Sequence, residues 1–308
     1  MGKYTVRRLL QMIPVILGVT FLIYAMVYAL PGDPTAGKCG ERPCPPTFVA
    51  EFRERYNLND PLWMQYVKYL GNLLQGDFGT SQYGVPIREE LVERFGVTLK
   101  LGIVALAFEA IIGILAGILA GLRRNGFFDN LVLVSTLFVI SVPIFVTGNV
   151  LQLWIGVNLG WVPPTVSSEA PWNELLLPGF VLGSTSLAYL ARLMRTNLGD
   201  NIKSDYVRTA HAKGLPERRV IGIHTLRNSM IPIVTFLGYD FGGLLGGAVI
   251  TEGIFNIPGV GQYVFRAIGD RDGGVVVGTV TALVLVFLLA NLLVDLVYGY
   301  LDPRISHD

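Results

Sequence analysis

An all-α integral membrane protein, with six transmembrane helices and a small helical cap outside the membrane after the first, is the fold class this sequence predicts. Three observations lead there. The chain of 308 residues is 52% hydrophobic and only 15% charged, whereas soluble domains carry about a quarter charged residues. Several apolar runs reach the roughly 20 residues needed to cross a bilayer. The charge that remains gathers between those runs, and unevenly.

The runs are approximately Leu9–Leu30, Thr98–Gly121, Leu131–Val157, Leu175–Met194, Met230–Thr251 and Val275–Tyr300. The first follows Lys3, Arg7 and Arg8, as a signal peptide would. Its apolar stretch is too long for a typical signal core and no small-x-small cleavage site follows, so it reads as a retained anchor. Basic residues in short flanks set orientation. They lie at the N-terminus, at Arg123 and Arg124, and densely over 195–229 with Arg192 just before; the 158–174 loop has none. Both termini are therefore expected in the cytoplasm. The segments are an anchor over 1–31, an external cap over 32–97, and a five-helix core over 98–308 that carries a cytoplasmic loop at 195–229.

The cap is expected to be helical. Phe48, Val49, Phe52 and Tyr56 recur at helical spacing, Asp60-Pro61 looks like an N-cap with proline at the first helical position, and Pro86 opens a further helix with Ile87, Leu91 and Phe95. Packing over the spans and touching an external partner are both open roles. Cys39 and Cys44 are the two cysteines, in a Pro/Gly-rich stretch. With no histidine near they do not make a zinc site. A short local disulfide and two free thiols remain the alternatives.

The loop at 195–229 is long for a cytoplasmic connection and is built as a docking element. Ser204-Asp205 can cap a helix, Tyr206 to Lys213 continues it, Gly214 stands where a glycine ends it, and Pro216 starts a second short helix with Glu217, Arg218 and Arg219. Positive charge alone would serve lipid headgroups; a capped and broken helix pair is more than that requires.

Asp205-Tyr206-Val207-Arg208-Thr209-Ala210-His211-Ala212-Lys213-Gly214-Leu215, then His224-Thr225-Leu226-Arg227-Asn228 and Ile231-Pro232, resembles the cytoplasmic loop of bacterial dipeptide/oligopeptide/nickel importer permeases of the ATP-binding-cassette (ABC) class. Agreement with the B-type permease of that branch extends to Pro31-Gly32-Asp33-Pro34, Gly76-Asp77-Phe78-Gly79, Gly246-Gly247-Ala248, Pro258-Gly259-Val260-Gly261, and Asn291-Leu292-Leu293-Val294-Asp295 through Asp302-Pro303-Arg304. The general importer loop begins Glu-Ala-Ala, where this chain has Arg208-Thr209-Ala210; that departure is usual for the peptide branch. The resemblance implies a type I importer permease in the bacterial cytoplasmic membrane. It implies a homologous second permease, two cytoplasmic ATPase subunits that bind ATP and Mg, an extracytoplasmic binding protein, and di- or oligopeptide cargo, with nickel or haem as alternative cargo. Asp205, Tyr206, Arg208, Ala210, Lys213, Gly214, Leu215 and Arg218 would form the ATPase-coupling loop. Glu252, Phe255 and Pro258 would lie near the outer gate.

Within the spans, Asp240 and Glu109 stand near mid-depth. A charge there costs roughly 2.5–3.5 kcal/mol on insertion scales, so neither should face lipid. Asp240 shares its side of the fifth span with Gly243 and Gly247, while Gly238, Gly242 and Gly246 form the opposite ridge, at about 100° per residue. Lining a pathway for a peptide ammonium group and gluing helices together are both open for each carboxyl.

Other classes of function find less support. The three histidines lie in cytoplasmic loops or the tail, and no HExxH or GxxxxGK[ST] occurs. The chain is therefore expected to have no catalytic residue, bound metal or cofactor of its own, and no nucleic-acid partner; lipid surrounds it. A secondary transporter or channel subunit is the rival from another class, but no second copy of any segment is evident.

Overall fold

The computed structural model describes residues 2–29 and 44–301. Pro31-Gly32-Asp33-Pro34, Cys39 and Asp302-Pro303-Arg304 lie outside the described residues, and so does the expected Cys39–Cys44 pairing. The helices are α1 (Gly2–Tyr28), α2 (Pro46–Arg55), α3 (Leu62–Leu74), α4 (Ile87–Leu122), α5 (Phe127–Ser141), α6 (Ile144–Asn158), α7 (Leu176–Asn201) and α8 (Asp205–Ala212). A short turn of helix at Glu217–Arg219 passes through a π-turn at Val220–Thr225 into α9 (Leu226–Phe255), followed by α10 (Val260–Gly269) and α11 (Gly273–Leu301). Among the described residues there is no β-strand, only an isolated bridge between Thr80 and Pro86.

Among the described residues, five stretches are long and apolar enough to cross a membrane: Thr5–Tyr28, Ile87–Leu122, Leu176–Asn201, Glu217–Gly246 and Gly273–Leu296. The expected third span differs. Its run is α5 and α6, bent by 100° between them, so it is a sixth span only as a broken one. Pro143 explains the break. It has no N–H to continue the helix and drives the residue before it out of helical geometry, as at Val142 with φ −95° and ψ 124°. A second feature is the passage from the external segment to the second span, which is made within one helix. The helix opened by Pro86 runs unbroken into the second span, with a π-turn at Glu109–Gly113. Asp60 is also displaced from its expected role: Pro61 takes the N-cap position of α3 and Asp60 pairs with Lys68.

Two compact units divide the chain. The first comprises the described residues of Met1–Arg94 with Tyr263–Val286. Its core is Ile87, Ala267 and Val275, backed by Phe78, Leu91 and Tyr263. Asp272, nearly fully buried, accepts from the backbone N–H groups of Gln82 (2.7 Å) and Val275 (3.2 Å), tying the 80–86 turn to the start of α11.

The second unit is Phe95–Gln262 with the described residues after Phe287. Its α4 and α7 pack at close range along glycines. A Cβ added at Gly117 would lie 2.6 Å from the Ala191 carbonyl oxygen, and one at Gly183 would lie 2.7 Å from that of Ala105. Small residues at four-residue spacing give such approach in lipid, where packing rather than water exclusion drives association. The main apolar cluster joins Leu101, Val104, Val181, Leu182, Leu244, Phe255 and Ile257.

Arginines of the 122–130 loop and of α7 are part of this packing. Arg195 grips the buried Asp129 through both carboxylate oxygens (Nη2–Oδ2 2.8 Å), and Asp129 also accepts from the Asn125 N–H at 2.8 Å. Arg124 reaches the Thr196 carbonyl and Asp200, each at 3.1 Å, while Arg192 donates to Thr136 at 2.9 Å. The residues that predict orientation thus also clamp the 122–130 loop and α5 onto α7.

Candidate functional site

Residues 204–225 form a small folded knob. α8 ends as expected: Gly214, at φ +73°, takes the left-handed conformation that reverses the chain, and its N–H donates to the His211 carbonyl at 2.9 Å. Pro216 caps the short turn at Glu217–Arg219. Val207, Ala210 and Val220 are buried against one another with Leu215 beside them, so the knob has an apolar nucleus of its own. Ser204 holds the N-cap position, but its hydroxyl donates back to the Asn201 carbonyl at 2.6 Å rather than capping α8.

The tip is open. Asp205, Tyr206, Arg208, Lys213, Gly214 and Arg218 are exposed and Leu215 is half-buried, whereas Ala210 faces inward. Arg208 and Asp205 make only a solvent-exposed ion pair at 3.4 Å, of a kind that contributes little stability. The joint to the body is Asn201, at the end of α7. It accepts from the Tyr206 hydroxyl at 2.8 Å and donates to Ser229 on α9 at 3.1 Å. Ser229 is fully buried and donates to the Thr225 carbonyl at 2.9 Å. Asn201 and Ser229 are site residues that sequence reasoning missed; nothing in their local spacing marks them.

Inside the second unit, Glu109 on α4 and Asp240 on α9 come together, with Ser186 of α7 as the other polar neighbour of Asp240. Glu109 is fully buried, and neither of its carboxylate oxygens makes a hydrogen bond of normal geometry; Asp240 Oδ2 is likewise unpartnered. The π-turn begins at Glu109 itself, and such bulges inside helices concentrate at functional sites. Gly243 lies beside this pair, a Cβ there standing 3.9 Å from Asp240 Oδ1. Gly247 continues the same helix. The opposite ridge packs over part of its length: Gly238 meets Val294, and Gly242 meets Phe287 and Ala290 of α11, while a Cβ at Gly246 would meet open space. Ser186 was not anticipated, though a hydroxyl in mid-span is a polar signal.

Beyond α9, the carboxylate of the fully buried Glu252 organises the connection to α10. It accepts from Thr98 Oγ1 at 2.7 Å and from the Gln262 N–H at 2.9 Å, and Thr98 Oγ1 in turn accepts from the Val260 N–H at 2.9 Å. Gly259 permits this: a Cβ there would fall 2.3 Å from Glu252 Oε2. Phe255 is fully buried in the main apolar cluster, its carbonyl accepting from the Val166 N–H at 2.9 Å, and Pro258 is half-buried. The loop is stapled rather than loose.

A family model of the inner membrane component of binding-protein-dependent transport systems matches residues 113–307, and its N-terminal companion matches residues 1–101. The chain is 38% identical to the dipeptide transport system permease protein DppB of Alkalihalophilus pseudofirmus over the whole of both chains. It is 37% identical to the DppB of Escherichia coli over all of this chain and 99% of that one. The chain belongs to the binding-protein-dependent ABC importer permeases. The glutathione transport system permease protein GsiC of Salmonella paratyphi A is 38% identical, again over both full lengths.

The permease is thus a multi-pass membrane protein of an importer and not itself an ATPase. Its motifs acquire physical roles. Gly76-Asp77-Phe78-Gly79 is a turn in which Asp77 accepts from the Gly79 N–H at 2.8 Å. Pro258-Gly259-Val260-Gly261 is the segment wrapped around the Glu252 carboxylate. Among the described residues no cluster of three or more His, Cys, Asp or Glu side chains is placed to hold a metal.

Proposed function

We propose that the permease pairs with a homologous permease to form a pathway for short peptides handed over by an extracytoplasmic binding protein. Two cytoplasmic ATPase subunits, holding ATP and Mg, would grip the knob at 205–222 and drive the pathway open and shut. Both termini lie in the cytoplasm on this reading, which the arginine distribution supports. The relatives named for dipeptide and for glutathione transport favour peptide cargo, including a γ-linked tripeptide.

One observation carries the coupling role. A segment that only had to carry positive charge needs no buried nucleus, yet this one has Val207, Ala210 and Val220 packed under an exposed tip and pinned to two spans through Asn201. Such a piece transmits displacement instead of absorbing it. The convergence of Glu109, Asp240 and Ser186 from three spans supports a polar lining that meets the ammonium end of a peptide. Glu252, Phe255 and Pro258, buried or half-buried, would hold the outer gate in shape from behind.

Gly214→Val tests the coupling role. Open space surrounds Gly214, so the substitution acts through backbone strain alone, about 1–2 kcal/mol for a left-handed residue with a Cβ. The assembled transporter should remain in the membrane and lose most substrate-stimulated ATP hydrolysis. Normal stimulation would remove the knob from the coupling path.

A further inference from the structure

The three faces of α3 do not suit a helix surrounded by water. Tyr66 and Tyr69 pack toward α1 and α11. At about 100° per residue, Trp63, Val67, Gly71 and Leu74 share a second face, and Lys68 and Asn72 a third. Trp63, Val67 and Leu74 are 61%, 54% and 89% exposed. Lys68, the one charged residue of α3, is drawn to Asp60 and Asn57, the latter at 3.0 Å.

Two independent contacts fix the depth of this helix. The Tyr66 hydroxyl is 2.8 Å from both Thr20 Oγ1 and the Leu17 carbonyl on α1, and the Tyr69 hydroxyl donates to Thr281 Oγ1 on α11 at 2.9 Å. α1 ends at Tyr28 and α11 begins at Gly273, and these ends meet: a Cβ on Gly273 would lie 2.6 Å from Val27. Thr20 and Thr281 are each eight residues inside those ends, about 12 Å at 1.5 Å per residue. A tyrosine reaching that far down from both spans belongs to a helix at the boundary of the hydrocarbon.

We propose that α3 is an interfacial membrane helix whose Trp63, Val67 and Leu74 face enters the acyl chains of the leaflet at the Tyr28–Gly273 end, with Lys68 and Asn72 turned to the headgroups. The occupant of its apolar face is lipid. On the first span beside it, Phe21, Leu22 and Met26 are exposed, and Phe21 meets Tyr66 edge-on at 5.2 Å. A polar face, an apolar face and a low charge count are what a helix lying in the membrane plane requires.

The test uses the full-length chain with its partner subunits in bilayers, in a Cys39→Ser/Cys44→Ser background that retains transport. Spin labels at Val67→Cys and Leu74→Cys should collide freely with oxygen and poorly with a water-soluble nickel chelate. Their collision ratio should fall within twofold of the first-span reference Met26→Cys and severalfold above that of the exposed loop residue Tyr83→Cys. A ratio matching Tyr83→Cys would place the helix in water and overturn the proposal. Suppressed collision with both reagents would mean a protein covers the face, and would overturn it too. A cysteine-independent check is quenching by bromine-labelled lipid: Trp63→Phe should lower the quenchable fluorescence, and no change would count against lipid contact.

Discussion

At the scale of single residues, buried charges among the described residues are mostly placed where another group answers them. Asp129 is answered by Arg195, and Glu252 by Thr98 and the Gln262 N–H. Glu109 and Asp240 answer only each other and Ser186, which leaves polar capacity unused. Asp240→Asn keeps size and removes charge, so assembly should persist while peptide uptake falls severalfold in reconstituted vesicles. Unchanged uptake would assign the residue to helix packing. Glu252→Ala should act differently. It leaves Thr98 and a backbone N–H buried without an acceptor, at roughly 1–3 kcal/mol each, so thermal stability of the complex should drop before transport is considered. The individual carboxyls were legible in the sequence as mid-span charges. Their meeting was not, because nothing in local spacing reports that α4 and α9 face each other.

At the scale of elements, what was legible followed from local rules. Runs of about 20 apolar residues gave the spans, and Gly214 with Pro216 gave the broken pair of the knob. What escaped needed a neighbour or a rule applied against the run. Pro143 sits in an apolar stretch whose hydropathy hides the bend, and the attachment of α3 to α1 and α11 rests on two tyrosine contacts with residues distant in sequence. The tight pairing of α4 with α7 is written in Gly113, Gly117 and Gly121 at four-residue spacing. Gly117→Leu should therefore prevent stable assembly, since even a Cβ would meet backbone at 2.6 Å; recovery of intact complex in detergent at normal yield would contradict this packing. Asn201→Ala removes three neutral hydrogen bonds, to Tyr206, Ser229 and the Asn197 carbonyl, each contributing about 0.5–1.5 kcal/mol. ATP hydrolysis should continue while its stimulation by cargo-loaded binding protein weakens.

At the scale of the whole molecule, the proposed transport cycle runs through the folded segment at 205–222, whose apolar nucleus is its own. Arg218 is exposed at its tip. The most direct measurement places a photo-crosslinking side chain at Arg218 in the complete transporter and identifies what it captures with and without nucleotide. Capture of an ATPase subunit, at a yield that changes between the nucleotide-free and ATP-bound states, is the expected result. Capture of lipid alone, or of the same ATPase at a yield that nucleotide does not alter, would contradict a knob that carries motion from ATP to the spans.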